Sequence, residues 1–502
     1  MFTKKGKTFI EIFLFLVVLA LFCYFRLKPL YLQTVSFTYD QGRDMLKAAE
    51  IIMQKNPTLI GPTTGIGGVF HGAWWFYFLA VAFAIFQGLP IGYYYLFFFI
   101  HLLAFLVFYF FTKKWFGAST ALLLSLLITA SPHFVYSSVF LNNSLISYPL
   151  FMALTLITIA VLEKKLVAQQ KWLFLGLGLT LGFITEFEFA FGLLLIPSYM
   201  LLLFLFKNYR QKLLSDKHCF FFAAGLLFPF IPRVLFEIKN RLIQTQVLIN
   251  FFFHPKYYNP KPYLDVFFDR LKLFADYYSW IYPNKTIQTV FGLFLLLGLV
   301  LVILNIKKRK QLPSSLLFLL SLGILLFICS VFYRDNFWAY YYNGILYLFI
   351  FIFALILQLP KSFAGQFQYL KKAVIIVLFI SILSSFFRDW KTKSPYDGIK
   401  VQQDIVSYVI AKKTGSNYCV KVYTPPVIPY TYDYLFLYEH LHNQQPQPSG
   451  DWINGQCFFI IEADSYQFRR DKWLTDNRPK SGQLLSRKKI KDVDIELWKK
   501  TN

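Results

Sequence analysis

The chain has 502 residues, of which 57% are hydrophobic and 15% charged, and its mean hydropathy is +0.49. Soluble domains carry about 25% charged residues, so this composition excludes an ordinary soluble protein and indicates an integral membrane protein. The net charge is +25, but no basic stripe with interleaved aromatic residues lies outside the short loops, which argues against a nucleic-acid partner.

Apolar runs recur along the first four-fifths of the chain and approach the roughly 20 residues that cross a bilayer. Lys and Arg concentrate in the loops between them, and such loops stay in the cytoplasm. We therefore predict a mainly α-helical transmembrane bundle over residues 1–387, in the plasma membrane, with the N-terminus cytoplasmic. The predicted spans, about eleven in number, are 9–25, 92–111, 117–131, 144–162, 172–186, 189–206, 218–236, 286–304, 314–332, 341–358 and 373–387.

One apolar run, Ala73–Phe86, is predicted to lie at the membrane surface instead of crossing it. If it crossed, the basic loop at Lys113-Lys114 would fall outside the cytoplasm. The run is also short and rich in Trp and Tyr, which favour the headgroup level. Residues 27–91 then form a first outer loop that contains interfacial helices.

The tail, residues 388–502, is predicted to be a small α/β domain outside the cytoplasm, because the predicted spans are odd in number. The pattern predicts a helix at Ile399–Lys412, strands at Tyr418–Tyr423, Cys457–Glu462 and Val493–Trp498, and loops at Pro425-Pro426 and Gln444–Gly450. Cys419 and Cys457 lie in the tail, where a disulfide between them is compatible with an oxidising compartment.

The first outer loop holds Asp40, Arg43 and Asp44 within one helical turn. Residues three and four apart share a helix face, so this spacing can hold a general base beside a phosphate-binding cation. The alternative is that Asp40 caps the following helix and that Arg43 and Asp44 are ordinary surface charge.

Glu186 and Glu188 interrupt a long apolar run. Carboxylates near membrane depth are costly and usually functional. The alternative is a polar hairpin that only separates two spans.

Other polar residues predicted on the outer side give weaker signals. Arg233 and Glu237 lie near the outer end of a span, where Arg233 either meets a phosphate or extends to the interface. Asp335 precedes an aromatic cluster that contains Tyr340. This cluster either stacks on a sugar or isoprenoid or forms an interface belt.

At these residues the chain resembles the GT-C membrane glycosyltransferases, the group that includes protein O-mannosyltransferases and lipid A aminoarabinose transferases. Residues 39–43 match the acidic opening of the family's first outer loop, and Glu50 matches a later acidic position. His71-Gly72-Ala73-Trp74 takes the place of a His-Pro-Pro-Leu motif. Three departures are Gln41 in place of the second acid, the loss of both prolines, and Asn142 or Asn143 in place of an outer-loop acid.

The resemblance implies transfer of a sugar, with inversion, from a polyprenyl-phosphate-linked donor to a lipid, protein or glycan acceptor outside the cytoplasm. It implies Asp40 as general base and Arg43 and Arg233 as ligands of the donor phosphate. The substrate-binding residues expected with them are Asp44, His71, Glu186, Glu188, Glu237, Asp335 and Tyr340. A divalent cation is left open, because the histidines are scattered and show no metal-ligand spacing.

The alternative function is that of a polytopic transporter or lipid flippase. Such proteins carry intramembrane charges and broken, repeated helices. Here the polar residues collect on one predicted side of the membrane, which favours an enzyme site.

Overall fold

Helices dominate the computed structural model, which describes residues 4–215, 217–254, 260–307, 312–358, 364–392, 396–425 and 427–500. The chain divides into two compact units. Unit 1 comprises Met1–Leu27, Thr58–Trp75 and Phe97–Thr392, and unit 2 comprises Lys28–Pro57, Phe76–Leu96 and Lys393–Asn502. Two segments of the first outer loop therefore fold with the tail. A functional division at residue 388 stays a prediction.

The elements as far as Lys391 are helices and one short hairpin. In chain order they are α1 Lys4–Tyr31, α2 Tyr39–Met53, β1 Ile60–Thr63, β2 Phe70–Gly72, α3 Trp74–Phe86, α4 Pro90–Phe116, α5 Ala118–Ala130, α6 Pro132–Val139, α7 Ser147–Leu162, α8 Gln170–Phe187, α9 Phe189–Leu205, α10 Lys207–Leu214, α11 His218–Leu227, α12 Ile231–Lys239, α13 Ile243–Phe253, α14 Tyr263–Ser279, α15 Lys285–Lys307, α16 Ser314–Val331, α17 Leu346–Ile356 and α18 Ala364–Lys391.

The predicted helical membrane architecture is confirmed, and each predicted span coincides with one helix or with consecutive helices. By length and composition, six stretches of the described chain are able to cross a membrane, or seven if the bent pair α5 and α6 counts as one. The six are Phe9–Tyr31, Pro90–Phe116, Asn143–Leu162, His218–Lys239, Ser314–Val331 and Lys372–Lys391. The total of about eleven spans and the orientation of the termini stay predictions.

The α3 helix corresponds to the run predicted to lie at the membrane surface. It has 13 residues, which extend about 20 Å at 1.5 Å per residue. The hydrocarbon core is about 30 Å thick, so α3 alone is too short to cross it perpendicularly. Its placement in the interface stays a prediction.

A 68° bend separates α5 from α6. Pro132 has no N–H, so the carbonyl of Ile128, four residues earlier, loses its helical partner. Arg26 supplies the missing donor: its Nη2 lies 3.1 Å from the Ile128 oxygen and its Nε lies 2.8 Å from Ser138 Oγ. The guanidinium is 1% exposed and also lies over the Phe22 ring. A buried arginine of α1 thus stabilises the bend.

Close packing of α8 on α11 brings Glu186, at the end of α8, toward Arg233 of α12. A Cβ at Gly178 would lie 2.2 Å from the Phe222 oxygen, and a Cβ at Gly225 would lie 2.3 Å from the Leu175 oxygen. Glycine is therefore required at both positions, as in other close membrane-helix contacts. This approach places the end of α8 beside α12, which follows α11.

Unit 2 contains a four-stranded sheet and three helices of the tail. The elements are α19 Ile399–Lys412, β3 Val420–Tyr423, α20 Tyr430–Asn443, β4 Gln456–Ile461, α21 Gln467–Asn477, β5 Gly482–Ile490 and β6 Val493–Lys500. The strand order is β3-β4-β6-β5, with β3 parallel to β4 and the other pairs antiparallel.

The α/β character predicted for the tail is confirmed. The helix at Ile399–Lys412 has the predicted bounds, and the three predicted strands correspond to β3, β4 and β6. The strand β5 was not predicted. Cys419 and Cys457 form a disulfide beside β3 and β4. Pro426, in a predicted loop, lies outside the described residues.

We expect the Arg26→Met variant to lower the free energy of unfolding, because the Ile128 carbonyl would be left buried without a donor, at a cost of about 1–3 kcal/mol. Thermal unfolding of the purified protein in detergent measures the change. Arg388→Met, which removes an exposed arginine, is the matched control. Equal or higher stability of Arg26→Met would show that burial of the charge costs more than its hydrogen bonds contribute.

The disulfide predicts a defined cysteine count. Cys23, Cys219 and Cys329 are free. Protein isolated from intact cells and denatured without reductant should therefore bind three maleimide groups, and five after reduction, as counted by mass spectrometry. Five groups without reductant would contradict the disulfide.

Candidate functional site

The polar cluster of the first outer loop lies in unit 2, in the first turns of α2. The Arg43 guanidinium lies 2.9 Å from Asp40 Oδ1 and 2.7 Å from Asp44 Oδ1. The Asp40 side chain is 42% exposed, whereas that of Asp44 is 6% exposed. Burial lowers the pKa of Arg43, but the carboxylates of Asp44 and Asp40 outweigh it and raise that pKa above its ordinary value. The predicted proximity of an accessible carboxylate and a cation is confirmed.

Asp40 does not cap α2. The N-cap residue is Thr38, whose backbone N–H donates to Gln41 Oε1 at 2.6 Å. The interpretation of Asp40 as a helix cap is therefore wrong. Gln41, which replaces the second acid of the family motif, occupies the N3 position of a capping box that begins at Thr38. Asp40 is left accessible within the acidic first turn.

The β1–β2 hairpin of unit 1 carries the second predicted motif. His71 is 9% exposed, and its Nδ1 accepts a hydrogen bond from the Phe189 N–H at 3.3 Å. Gly72 lies directly against Glu186, because a Cβ at Gly72 would be 2.0 Å from Glu186 Oε2. Only glycine leaves room for this carboxylate, so the hairpin and the end of α8 fit together through Gly72.

A buried ion pair joins α8 to α12. Glu186 has no exposed surface, and its Oε1 accepts from Arg233 Nε at 2.7 Å. Arg233 also lies over the Phe189 ring, with 5.0 Å between its guanidinium carbon and the ring centroid. A carboxylate at this depth needs a cation, since an unpaired buried charge is strongly destabilising.

Gln244, at the start of α13, completes the cluster. Its Oε1 accepts from the Phe70 N–H at 2.9 Å and from Arg233 Nη1 at 3.2 Å. Both donors bind Gln244 through its Oε1. Among the described residues, three atoms of the cluster have no hydrogen-bond partner: Gln244 Nε2, Glu186 Oε2 and Arg233 Nη2. One acceptor and two donors are therefore left unsatisfied inside the buried cluster.

Glu188 and Glu237 make local backbone contacts. Glu188 is 2% exposed, and its carboxylate accepts from the Ala190 N–H at the start of α9. Glu237 accepts from the N–H groups of Gln244 and Thr245, at 3.1 Å and 3.0 Å. Glu237 therefore anchors the first turn of α13 and with it Gln244. Substrate binding by either carboxylate stays a prediction.

Asp335 and Tyr340 belong to the segment between α16 and α17. Asp335 is 9% exposed, and its Oδ1 accepts from the Asn336 N–H at 2.7 Å. Tyr340 is 47% exposed. Asp335 also lines a cavity beside α14.

Seven of the predicted residues thus fall into two clusters. His71, Glu186, Arg233 and Glu237 are joined by direct contacts or through Gln244 and Phe189. The Asp40, Arg43 and Asp44 cluster belongs to unit 2. Within the described residues, no group of three or more His, Cys, Asp or Glu is arranged to hold a metal ion.

Sequence reasoning missed Gln244 and Arg270. Gln244 is 2% exposed and Arg270 is 4% exposed. Gln244 is followed by Thr245 and Gln246, so no signal in the sequence set it apart from its polar neighbours. Arg270 was likewise not set apart, because α14 carries several exposed charges.

We expect Gly72→Ala to displace Glu186 from Arg233, because the added methyl group would overlap Glu186 Oε2. The free energy of unfolding should fall by about 3–5 kcal/mol, the cost of breaking a buried ion pair. Thermal unfolding in detergent measures this. Gly67→Ala is the control, since its Cβ would meet no atom within 4 Å. Equal stability of the two variants would contradict the packing role of Gly72.

Comparison with known proteins gives one family match. Residues 71–236, about a third of the chain, match the family model described as dolichyl-phosphate-mannose-protein mannosyltransferase. The segment includes His71, Gly72, Glu186 and Arg233. A search of curated proteins gave no significant match.

Solved structures match along the whole chain. The crystal structure of ArnT from Cupriavidus metallidurans bound to undecaprenyl phosphate has a TM-score of 0.58 and 12% identity, covering 99% of this chain and 98% of that one. The apo structure of ArnT from the same organism has a TM-score of 0.59 and 13% identity, covering 98% of each chain. This chain therefore shares the ArnT fold.

The matched segment and the shared fold agree with the resemblance to GT-C membrane glycosyltransferases seen in the sequence.

Proposed function

We propose that this protein transfers a sugar from a polyprenyl-phosphate-linked donor to an acceptor outside the cytoplasm, with inversion at the anomeric carbon. The observation that carries the proposal is the buried Glu186–Arg233 pair with its unsatisfied polar atoms. It lies within the segment that matches a mannosyltransferase family. The fold shared with an undecaprenyl-phosphate-bound transferase favours this class of donor.

The leaving group of this reaction is a polyprenyl phosphate, so negative charge develops on the phosphate oxygen as its bond to the anomeric carbon breaks. Arginine is suited to this charge because its planar guanidinium forms charge-assisted hydrogen bonds with phosphate oxygens. We assign this role to Arg233 Nη2 and to Arg43. A preorganised cation of this kind stabilises the transition state more than the ground state.

Asp40 is the proposed general base. It takes the proton of the acceptor hydroxyl as that oxygen attacks the anomeric carbon. A single displacement of this kind inverts the anomeric configuration. The support for Asp40 is its exposure at the start of α2 and its pairing with Arg43.

The remaining carboxylates are proposed to hold the sugar. Glu186 Oε2 can accept from a sugar hydroxyl, and Gln244 Nε2 can donate to one. Asp44, Glu188 and His71 are proposed to orient the sugar or its neighbours. Glu237 acts through Gln244, whose backbone N–H it binds.

The disulfide bears on the orientation of the protein in the membrane. A disulfide persists in oxidising compartments and is rare in the cytoplasm. The Cys419–Cys457 disulfide therefore supports an extracytoplasmic tail and, with an odd number of spans, a cytoplasmic N-terminus. We propose that the protein is a multi-pass protein of the plasma membrane.

Asp40→Asn should lower the turnover number about 10²- to 10⁴-fold, the usual contribution of a general base. Donor affinity should change little, since asparagine keeps the shape of the side chain. Sugar transfer by protein reconstituted in lipid, at equal protein levels, measures both.

Asp451→Asn is the matched control for this variant, because Asp451 is an exposed carboxylate of the tail. Full activity of Asp40→Asn would refute the role of Asp40. Loss of donor affinity with an unchanged turnover number would instead assign Asp40 to binding.

A further inference from the structure

A polar cavity lies in unit 1, between α14 and the segment that follows α16. It has a volume of about 320 Å³, close to the lower end of the roughly 300–1,000 Å³ found for small-molecule sites. This volume suits one sugar ring better than an isoprenoid chain. The lining residues are Lys261, Asp269, Arg270, Lys272, Leu273, Asp276, Asp335, Asn336, Phe337 and Trp338.

The wall of the cavity is held in place by Arg270. Its Nε donates to the Ser330 carbonyl at 3.2 Å, and its Nη2 donates to those of Tyr333 and Asp335 at 2.8 and 3.2 Å. The guanidinium also lies 4.7 Å from the centroid of the Phe337 ring. Four contacts therefore fix the segment that carries Asp335 to Trp338. A wall fixed in this way needs little ordering when a ligand binds.

The charges around the cavity balance. Three basic side chains, Lys261, Arg270 and Lys272, face three acidic ones, Asp269, Asp276 and Asp335. Lys261 and Asp269 pair with each other at 2.5 Å. Because the charges sum to zero, the cavity favours neither an anion nor a cation. It offers both donors and acceptors, which is what a polyhydroxylated neutral ligand requires.

An aromatic face completes the cavity. Trp338 is 54% exposed, and Tyr340 beside it is 47% exposed. Their rings are nearly parallel, at 8°, with 6.3 Å between the centroids. The face of an aromatic ring carries negative charge density and attracts the slightly positive C–H groups of a sugar ring. The exposed indole is thus complementary to the C–H groups of a pyranose, and the polar side chains around it are complementary to the hydroxyl groups.

We propose that this cavity binds a neutral pyranose ring. The ring stacks on Trp338, and its hydroxyl groups bind Asp276, Asp335, Asn336 and Lys272. We assign this ring to the sugar acceptor. That assignment rests on the proposed function, whereas binding of the ring does not. An aromatic belt at the membrane interface is the competing role for Trp338.

The experiment uses full-length protein labelled with 5-fluorotryptophan and observed by ¹⁹F NMR in detergent. Trp338→Phe assigns the Trp338 resonance among the ten tryptophans. Trp172→Phe assigns that of Trp172, which is 57% exposed and serves as reference. Methyl α-mannoside, methyl α-glucoside and methyl β-galactoside are the ligands, with inorganic phosphate as the charged competitor.

We expect at least one methyl glycoside to shift the Trp338 resonance, with saturation at millimolar concentrations as is usual for weak single-site binding, and to leave Trp172 unchanged. Asp276→Asn should weaken this binding at least threefold. Asp265→Asn, an exposed carboxylate on the same helix, should not weaken it.

Three outcomes would overturn the proposal. These are no Trp338 shift with any glycoside up to 100 mM, a shift with phosphate alone, and equal effects of Asp276→Asn and Asp265→Asn. Failure of sugar transfer with intact glycoside binding would refute the proposed function and leave this site in place. Transfer without glycoside binding would refute this site alone.

Discussion

The architecture of the candidate site depends on the ion pair between Glu186 and Arg233. The Glu186 carboxylate has no exposed surface, so Arg233 balances the charge that water would otherwise solvate. Such a pair gives little net stability, because desolvation offsets most of the Coulomb attraction, but loss of one partner is strongly destabilising. Three separate features are needed to accommodate it. Gly72 leaves room for the carboxylate, the glycines between α8 and α11 set the distance to α12, and Gln244 holds the far side of the guanidinium. A pair that needs this much support, with polar atoms still unsatisfied, is typical of a functional site.

The same physical problem is solved differently at the bend between α5 and α6. There a proline frees a carbonyl, and Arg26 is bound entirely by uncharged acceptors, with no carboxylate among its hydrogen-bond partners. All three donating nitrogens of Arg26 are satisfied, whereas Arg233 keeps Nη2 without a partner in the described chain. This difference distinguishes the fully bonded Arg26 from Arg233, which keeps an unsatisfied donor.

Much of the helical framework could be predicted because long apolar runs and basic loops are strong signals. The same holds for Ile399–Lys412, where periodicity gave both ends of a helix. The strand β5 could not be predicted, because its Arg487, Lys488 and Lys489 are typical of a solvated segment. It is an edge strand, and charged side chains are usual at sheet edges. The hairpin β1–β2 was not predicted, because a segment rich in glycine reads as a loop.

The candidate site was only partly predictable, for a related reason. The sequence pointed to Glu186 as a costly carboxylate near membrane depth and to Arg233 as a charge near the outer end of a span. Their pairing depends on how α8 packs on α11. The capping role of Gln41 also depended on where α2 begins, which motif spacing alone left open. Glu237 was predicted to bind substrate from its position near the end of a span, and its contacts with the first turn of α13 could not be read from the sequence.

The most direct test of this account is the fate of the donor. Purified protein in detergent, with no membrane and no gradient, should release polyprenyl phosphate from at least one of a panel of undecaprenyl-phosphate sugars when cell-envelope glycolipids and glycans are supplied. The product should carry the sugar with inverted anomeric configuration. Donor that stays intact in detergent but crosses the bilayer of proteoliposomes would contradict the account and identify a flippase.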